Sequence, residues 1–296
     1  MKALLRFAIF CAVLGVLVGL LVTRPDRSEV AFDAVTITDT QAGALVFAAG
    51  GCASCHAAPD ATGDAKLTLS GGRSFPSDFG TFYAPNISTD SSAGIGDWTR
   101  QQFAQALTRG VSPDGKHYFP AFPYTAYAKM TAQDIADLFA YMQTLPADAT
   151  PSLAHDVGFP FSIRRAVGGW KILFFLREYQ VVGALTEAEE RGRYLAEGLG
   201  HCTECHTPRN ALGGLDRSRW LAGAPNPSGK GKIPNITPAA LDWSETDIVA
   251  YLTTGFTPDY DSAGGEMVEV IENLAQLPEA DRAALAAYLK RVTPVP

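Results

Sequence analysis

Two five-residue runs carry the chemistry of this sequence: Cys52-Ala53-Ser54-Cys55-His56 and Cys202-Thr203-Glu204-Cys205-His206. Cysteines three apart lie on one helical turn, so both thiols can form thioethers to a single rigid porphyrin. The adjacent histidine then reaches the iron from the proximal side. A C-x-x-C pair can also supply half of a tetrahedral zinc site, but one shared zinc gives no reason for each pair to end in histidine. No βαβ pattern surrounds either motif, as a thioredoxin-like redox pair requires. The spacing therefore points to two covalently bound haem c groups, attached at Cys52, Cys55, Cys202 and Cys205, with His56 and His206 as proximal ligands.

Each motif belongs to a repeat. The C-x-x-C-H runs are offset by 150 residues, and Pro85-Asn86-Ile87-Ser88 returns as Pro234-Asn235-Ile236-Thr237 at an offset of 149. Trp98 and Trp243 each open a helical stretch ending 12 residues on, at Gly110 and Gly255, and Ala140-Tyr141 is matched by Ala287-Tyr288. Four matches in one order predict two copies of one domain, at 38–146 and 185–296, joined by a connector at 147–184. Trp98 and Trp243 are candidates to donate an indole N–H to a haem propionate while filling core. Asn86 and Asn235 are candidates to pin the loop over the haem edge. Tyr141 and Tyr288 read as packing residues against the first helix of each domain.

The elements that must position these groups are helices, and the predicted class is all-α. Thr186 with Glu189 forms a capping box, Ser244 with Asp247 starts a second helix, and Leu285, Tyr288 and Leu289 give the last one an apolar face. The first half offers counterparts at 38–49, 97–109 and 131–144. Between helices the chain is rich in Gly, Pro, Asn and Ser, with few strand-like alternations. A small helical domain with such long loops needs a central group to fold around.

Composition limits the partners. With 47% hydrophobic and 19% charged residues the chain has enough apolar material for real cores, and a net charge of −7 argues against nucleic acid. Phe7 to Val22 contains no charged residue, and with the preceding apolar residues it is long enough to cross a bilayer. A cleaved signal peptide is the rival reading, but Thr23-Arg24-Pro25-Asp26 offers no small-x-small cleavage site. The expectation is a transmembrane anchor at 1–24 and a linker at 25–37. Lys2 and Arg6 lie on the cytoplasmic side and the rest of the chain in the periplasm, at a bacterial inner membrane. Cys11 reads as a small apolar residue of that span.

Over nearly all of the chain beyond the anchor, the sequence resembles the membrane-anchored c-type cytochrome subunits of bacterial alcohol, gluconate and related dehydrogenases. The resemblance rests on the two haem motifs, the run from Pro85 to Trp98, Phe119 to Tyr124, the connector runs Phe159 to Phe161 and Gly169 to Phe175, His201 to His206, Pro234 to Thr237, and Gly264-Gly265-Glu266-Met267. Many members of that family carry three haem domains, and this chain has two.

The resemblance implies tandem class I cytochrome c domains that take electrons from a periplasmic dehydrogenase or a quinol-linked donor and pass them to another cytochrome or an oxidase. It places a distal ligand at Met267, in the Gly-rich loop between the last two helices. In the first domain the matching position is Phe122, which cannot bind iron, and Met130, in a Tyr-x-Lys-Met run similar to family members, is the substitute. His117 and a five-coordinate iron are the remaining readings there. An open iron site would instead suit a haem enzyme of the dihaem peroxidase or thiosulfate-oxidising type. Met142 reads as core, and His155 and His201 as surface or supporting histidines.

Overall fold

Helix α1 (Lys2–Val22) is an apolar helix of 21 residues, none of them buried against the rest of the chain. The computed structural model describes residues 1–227 and 231–296. Among them α1 is the one helix long and apolar enough to cross a membrane.

Side-chain caps set the helices of the first half. Asp39 accepts from the N–H groups of Gln41 and Ala42 to open α2 (Thr40–Ala49), and α3 (Cys52–His56) follows one turn later. Thr99 and Gln102 form a capping box on α4 (Arg100–Arg109), which stops at Gly110 in the left-handed conformation. After α5 (Tyr124–Tyr127), Thr131 caps α6 (Ala132–Met142). The first and second of these long helices begin two to three residues later than expected, because Asp39 and Thr99 turn outward as caps.

The class is helix-rich rather than all-α. Strands β1 (Ser74–Ser77) and β2 (Gly80–Tyr83) form an antiparallel hairpin, and β3 (Asp156–Val157) of the connector adds to its edge. Gly80 permits this pairing: its φ is 125°, and a Cβ there would lie 2.3 Å from the Asp156 carbonyl oxygen. Phe82 then packs between Phe119 and His155, at ring separations of 5.4 and 5.5 Å. Short strands with aromatic side chains on one face escape a search for long alternation.

The connector continues through α7 (Ala166–Phe174). In the second half the Thr186–Glu189 and Ser244–Asp247 capping boxes form as expected, opening α8 (Glu187–Tyr194) and α10 (Glu245–Thr254). Between them lie α9 (Cys202–His206) and a two-stranded sheet of β4 (Ala224–Pro225) and β5 (Lys232–Ile233). Helices α11 (Met267–Leu274) and α12 (Glu279–Arg291) complete the chain.

Each half is built on one close helix crossing, α2 on α6 and α8 on α12, and a glycine sits at each crossing. A Cβ on Gly43 would lie 2.1 Å from the Asp137 carbonyl oxygen, and one on Gly192 would lie 1.9 Å from that of Ala284. Tyr141 and Tyr288 pack at these same crossings, as expected. Gly43 and Gly192 are 149 apart, whereas the haem motifs are 150 apart. The extra residue is taken up in a π-turn, Leu195–Leu199, at the end of α8. That turn holds Glu197 inward, where it accepts from the Gln180 and Val181 N–H groups and from the Tyr288 hydroxyl at 2.7, 3.2 and 2.6 Å.

Candidate functional site

Helices α3 and α9 are single turns, each entered from a residue in the left-handed region, Gly51 at φ 61° and His201 at φ 37°. This tight entry faces the two cysteines and the histidine of each motif along one short stretch of backbone. Burial around the motifs pushes the thiols of Cys52 and Cys202 up to about 12 and that of Cys55 up to about 11. Among the described residues no three His, Cys, Asp or Glu side chains converge to hold a metal ion.

The two histidines have the same surroundings. His56 Nδ1–H donates to the Pro85 carbonyl at 2.8 Å, and His206 Nδ1–H donates to the Pro234 carbonyl at 2.8 Å. The proton is thereby held on Nδ1, leaving the Nε2 lone pair to bind an iron. Burial lowers both imidazoles below their ordinary pKa, against the pull of the proline carbonyls, which keeps them neutral and able to coordinate. A haem fits this donor set in each half.

The loops behind the histidines are also fixed alike. The carbonyls of His56 and His206 accept from the N–H groups of Gly71 and Gly223, both at 2.7 Å. Both glycines have positive φ, and a Cβ would strike backbone at 2.6 and 2.8 Å. Sequence reading missed this pair, although Gly71 stands 14 residues before Pro85 and Gly223 stands 11 residues before Pro234. Asn86 Nδ2 bonds the carbonyls of Asp148 and Thr150, both at 2.8 Å, and Asn235 Nδ2 bonds that of Val295 at 2.8 Å. Each asparagine thus clamps the loop that supplies the proline carbonyl, with its amide directed at backbone. Trp98 and Trp243 are half-buried against the core at the starts of α4 and α10, and Trp243 meets Tyr251 edge-on at 5.1 Å.

Met130 lies between α5 and α6, buried, as the sequence placed it. Met267 does not lie in a loop: it is the first residue of α11, because Met267, Val270, Ile271 and Leu274 form an apolar helical stripe directly after Gly264-Gly265. Met142 is core. Phe122 is absorbed in an aromatic cluster with Tyr118, Tyr124 and Tyr127. His117 Nε2–H donates to the Thr23 carbonyl at 2.9 Å, so that nitrogen is committed to the foot of α1. His155 Nδ1 accepts from the Tyr83 N–H at 3.1 Å, and His201 is enclosed between the halves.

A one-turn C-x-x-C-H helix backed by a carbonyl-bonded histidine defines a c-type cytochrome, and residues 40–146 match the cytochrome c family. The chain is 57% identical over 274 residues to a dihaem c-type cytochrome of Cereibacter sphaeroides, covering 93% of each. It is 41% identical to the fructose dehydrogenase cytochrome subunit of Gluconobacter japonicus, over 81% of this chain and 50% of that one. With the cytochrome c subunit of the quinone alcohol dehydrogenase of Komagataeibacter europaeus the identity is 33%, over 86% of this chain and 56% of that one. The chain belongs to the dihaem c-type cytochromes and carries covalently bound haem c. It spans about half the length of the dehydrogenase subunits it matches.

Proposed function

We propose that this chain is a membrane-anchored, periplasmic dihaem electron carrier made of two tandem class I cytochrome c domains, 38–146 and 185–296. Cys52 and Cys55 would attach haem 1, and His56 and Met130 would hold its iron. Haem 2 is attached at Cys202 and Cys205 with His206 and Met267. The single observation that carries this reading is the paired contact of His56 Nδ1 with Pro85 and His206 Nδ1 with Pro234. When bound, each haem supplies a one-electron couple. The protein attaches the ring through the thiols, orients the imidazole through the proline carbonyl, and uses Asn86 and Asn235 to keep that carbonyl in place. With a methionine on each distal side both irons are closed to substrate, which suits transfer between a periplasmic dehydrogenase or quinol-linked donor and a downstream cytochrome or oxidase.

Helix α1 is the anchor in this reading, and α7 lies beside its end. Ile172 and Leu173 of α7 are 59% and 63% exposed, and Ile172 shares a shallow cleft with Leu21 and Val22. Arg24 lines that cleft beside Asp26, which pairs with Arg177, and Arg165 bonds the Leu20 carbonyl at the end of α1. Exposed apolar side chains with arginines at their margin suit the bilayer surface.

The test is the near-infrared and EPR spectrum of the oxidised protein, with and without carbon monoxide on the reduced form. Two methionine–iron charge-transfer signals and no ligand binding are expected. One high-spin iron that binds ligand would reject the closed carrier and give the first domain an open, enzyme-like site.

A further inference from the structure

The two halves hold each other in a crossed pattern. Ser54 and Glu204 occupy equivalent places, each the second residue between its two cysteines. Ser54 Oγ accepts from Asn273 Nδ2 of α11 at 2.8 Å. The Ser54 carbonyl accepts from Arg73, whose guanidinium also pairs with Glu269 of α11 at 2.6 Å, and Lys66 pairs with Glu272 at 3.1 Å. Met267 is the first residue of that helix. On the other side, Glu204 Oε1 accepts from Thr125 Oγ1 of α5 at 2.7 Å, and the His201 ring meets Tyr127 edge-on at 5.6 Å. The Tyr194 hydroxyl accepts from the Thr131 N–H at 3.2 Å and donates to Asp134. Met130 lies between these contacts.

We infer that the distal methionine of each haem is positioned by the opposite half: Ser54 and Arg73 hold Met267 in place for haem 2, while Glu204 and Tyr194 hold Met130 in place for haem 1. This rests on the ligand assignment proposed above. The clamp residues touch neither iron, so they are positioning residues. Methionine ligation raises the potential of a haem. Loosening a clamp therefore lowers the potential of the haem in the opposite half and opens that iron to carbon monoxide.

The experiment uses the full-length membrane protein. Met130→Ala and Met267→Ala first assign the two methionine–iron charge-transfer signals. Arg73→Ala, which lies in the first half, is expected to weaken the signal assigned to Met267, lower the midpoint potential of haem 2, and raise its carbon monoxide-reactive fraction about tenfold, the worth of a charge-assisted hydrogen bond. Arg73→Lys restores all three. Thr125→Val, which removes one hydroxyl at constant shape and breaks its bond to Glu204, is expected to change only the Met130 signal, and it carries the test if Arg73→Ala fails to assemble. Signals that change in the variant's own half for Arg73→Ala, or no change at either iron in variants holding two haems, overturn the inference. Methionine variants that leave both signals intact overturn the ligand assignment itself, a separate and earlier failure.

Discussion

The Nε2–H of His201 donates to the Gly50 carbonyl across 3.3 Å, and the same oxygen accepts from the Tyr127 hydroxyl at 2.9 Å. The residue before Cys202 is thereby joined to the turn before Cys52, and a Cβ on Gly200 would lie 3.7 Å from the Ala49 carbonyl oxygen. The two attachment turns are in direct contact. Tyr127→Phe leaves His201 as the remaining partner of this oxygen and is expected to cost about 1 kcal/mol, the net worth of one buried hydrogen bond. Denaturant unfolding measures it, and an unchanged midpoint would show that the seam does not depend on this oxygen.

His206→Ala removes the proximal ligand of haem 2 in the proposed assignment and leaves the His56–Pro85 contact untouched. One of two low-spin EPR signals is expected to vanish while the other keeps its position. Persistence of both would sink the assignment.

Gly43→Ala and Gly192→Ala each place a Cβ inside the backbone of a facing helix, at 2.1 and 1.9 Å from a carbonyl oxygen. The helices must separate, at a cost of about 3 kcal/mol or more. Each variant is expected to lower the thermal midpoint and to loosen the core of its own half, read as altered haem absorbance there. Wild-type stability in both would mean that the crossings yield without cost.

His117 makes the pH dependence at the foot of α1 specific. Burial holds its pKa below the ordinary 6.5, Lys171 and Arg165 add to this, and the Thr23 carbonyl opposes it. Protonation would also bury a second N–H on Nδ1, which has no partner. The unfolded chain binds a proton below about pH 6.5 that the folded chain resists, so this contribution is complete above 6.5 and is lost as pH falls through the lower folded value. His117→Gln is expected to flatten the acid limb of a stability-against-pH curve below pH 6.5. An identical limb in the variant would assign the acid sensitivity elsewhere.

If α7 rests on the bilayer, a nitroxide attached through Ile172→Cys is shielded from a water-soluble relaxant and relaxed by oxygen dissolved in lipid. The same label at Tyr260, 93% exposed on the second half, is expected to behave oppositely. Equal accessibility at the two positions would remove α7 from the membrane surface.

Much of this architecture was legible because its signals are local. C-x-x-C-H, the Thr186 and Ser244 caps and the paired Pro-Asn-Ile runs each declare themselves within a few residues. The position of Met267 was misread because Gly264-Gly265 drew attention to a loop, while the stripe Met267, Val270, Ile271 and Leu274 beyond it marks a helix. The hairpin at β1 and β2 was missed because its strands are four residues long, one with Pro76 inside it, too short to show alternation. The crossed clamps join Ser54 to Asn273 and Thr125 to Glu204, and no periodicity connects residues so far apart.

The foot of α1 has a consequence for how such a carrier meets its partners. Thr23 receives His117 and Arg165, and Arg165 also bonds the Leu20 carbonyl, so the end of the apolar helix is fastened to the first half and to the connector together. In the proposed anchored form, with α1 spanning a bilayer, the haem-bearing body does not swing on a tether. Its orientational search shrinks to drift within the membrane plane and spin about one axis, which raises the share of collisions that present the right face.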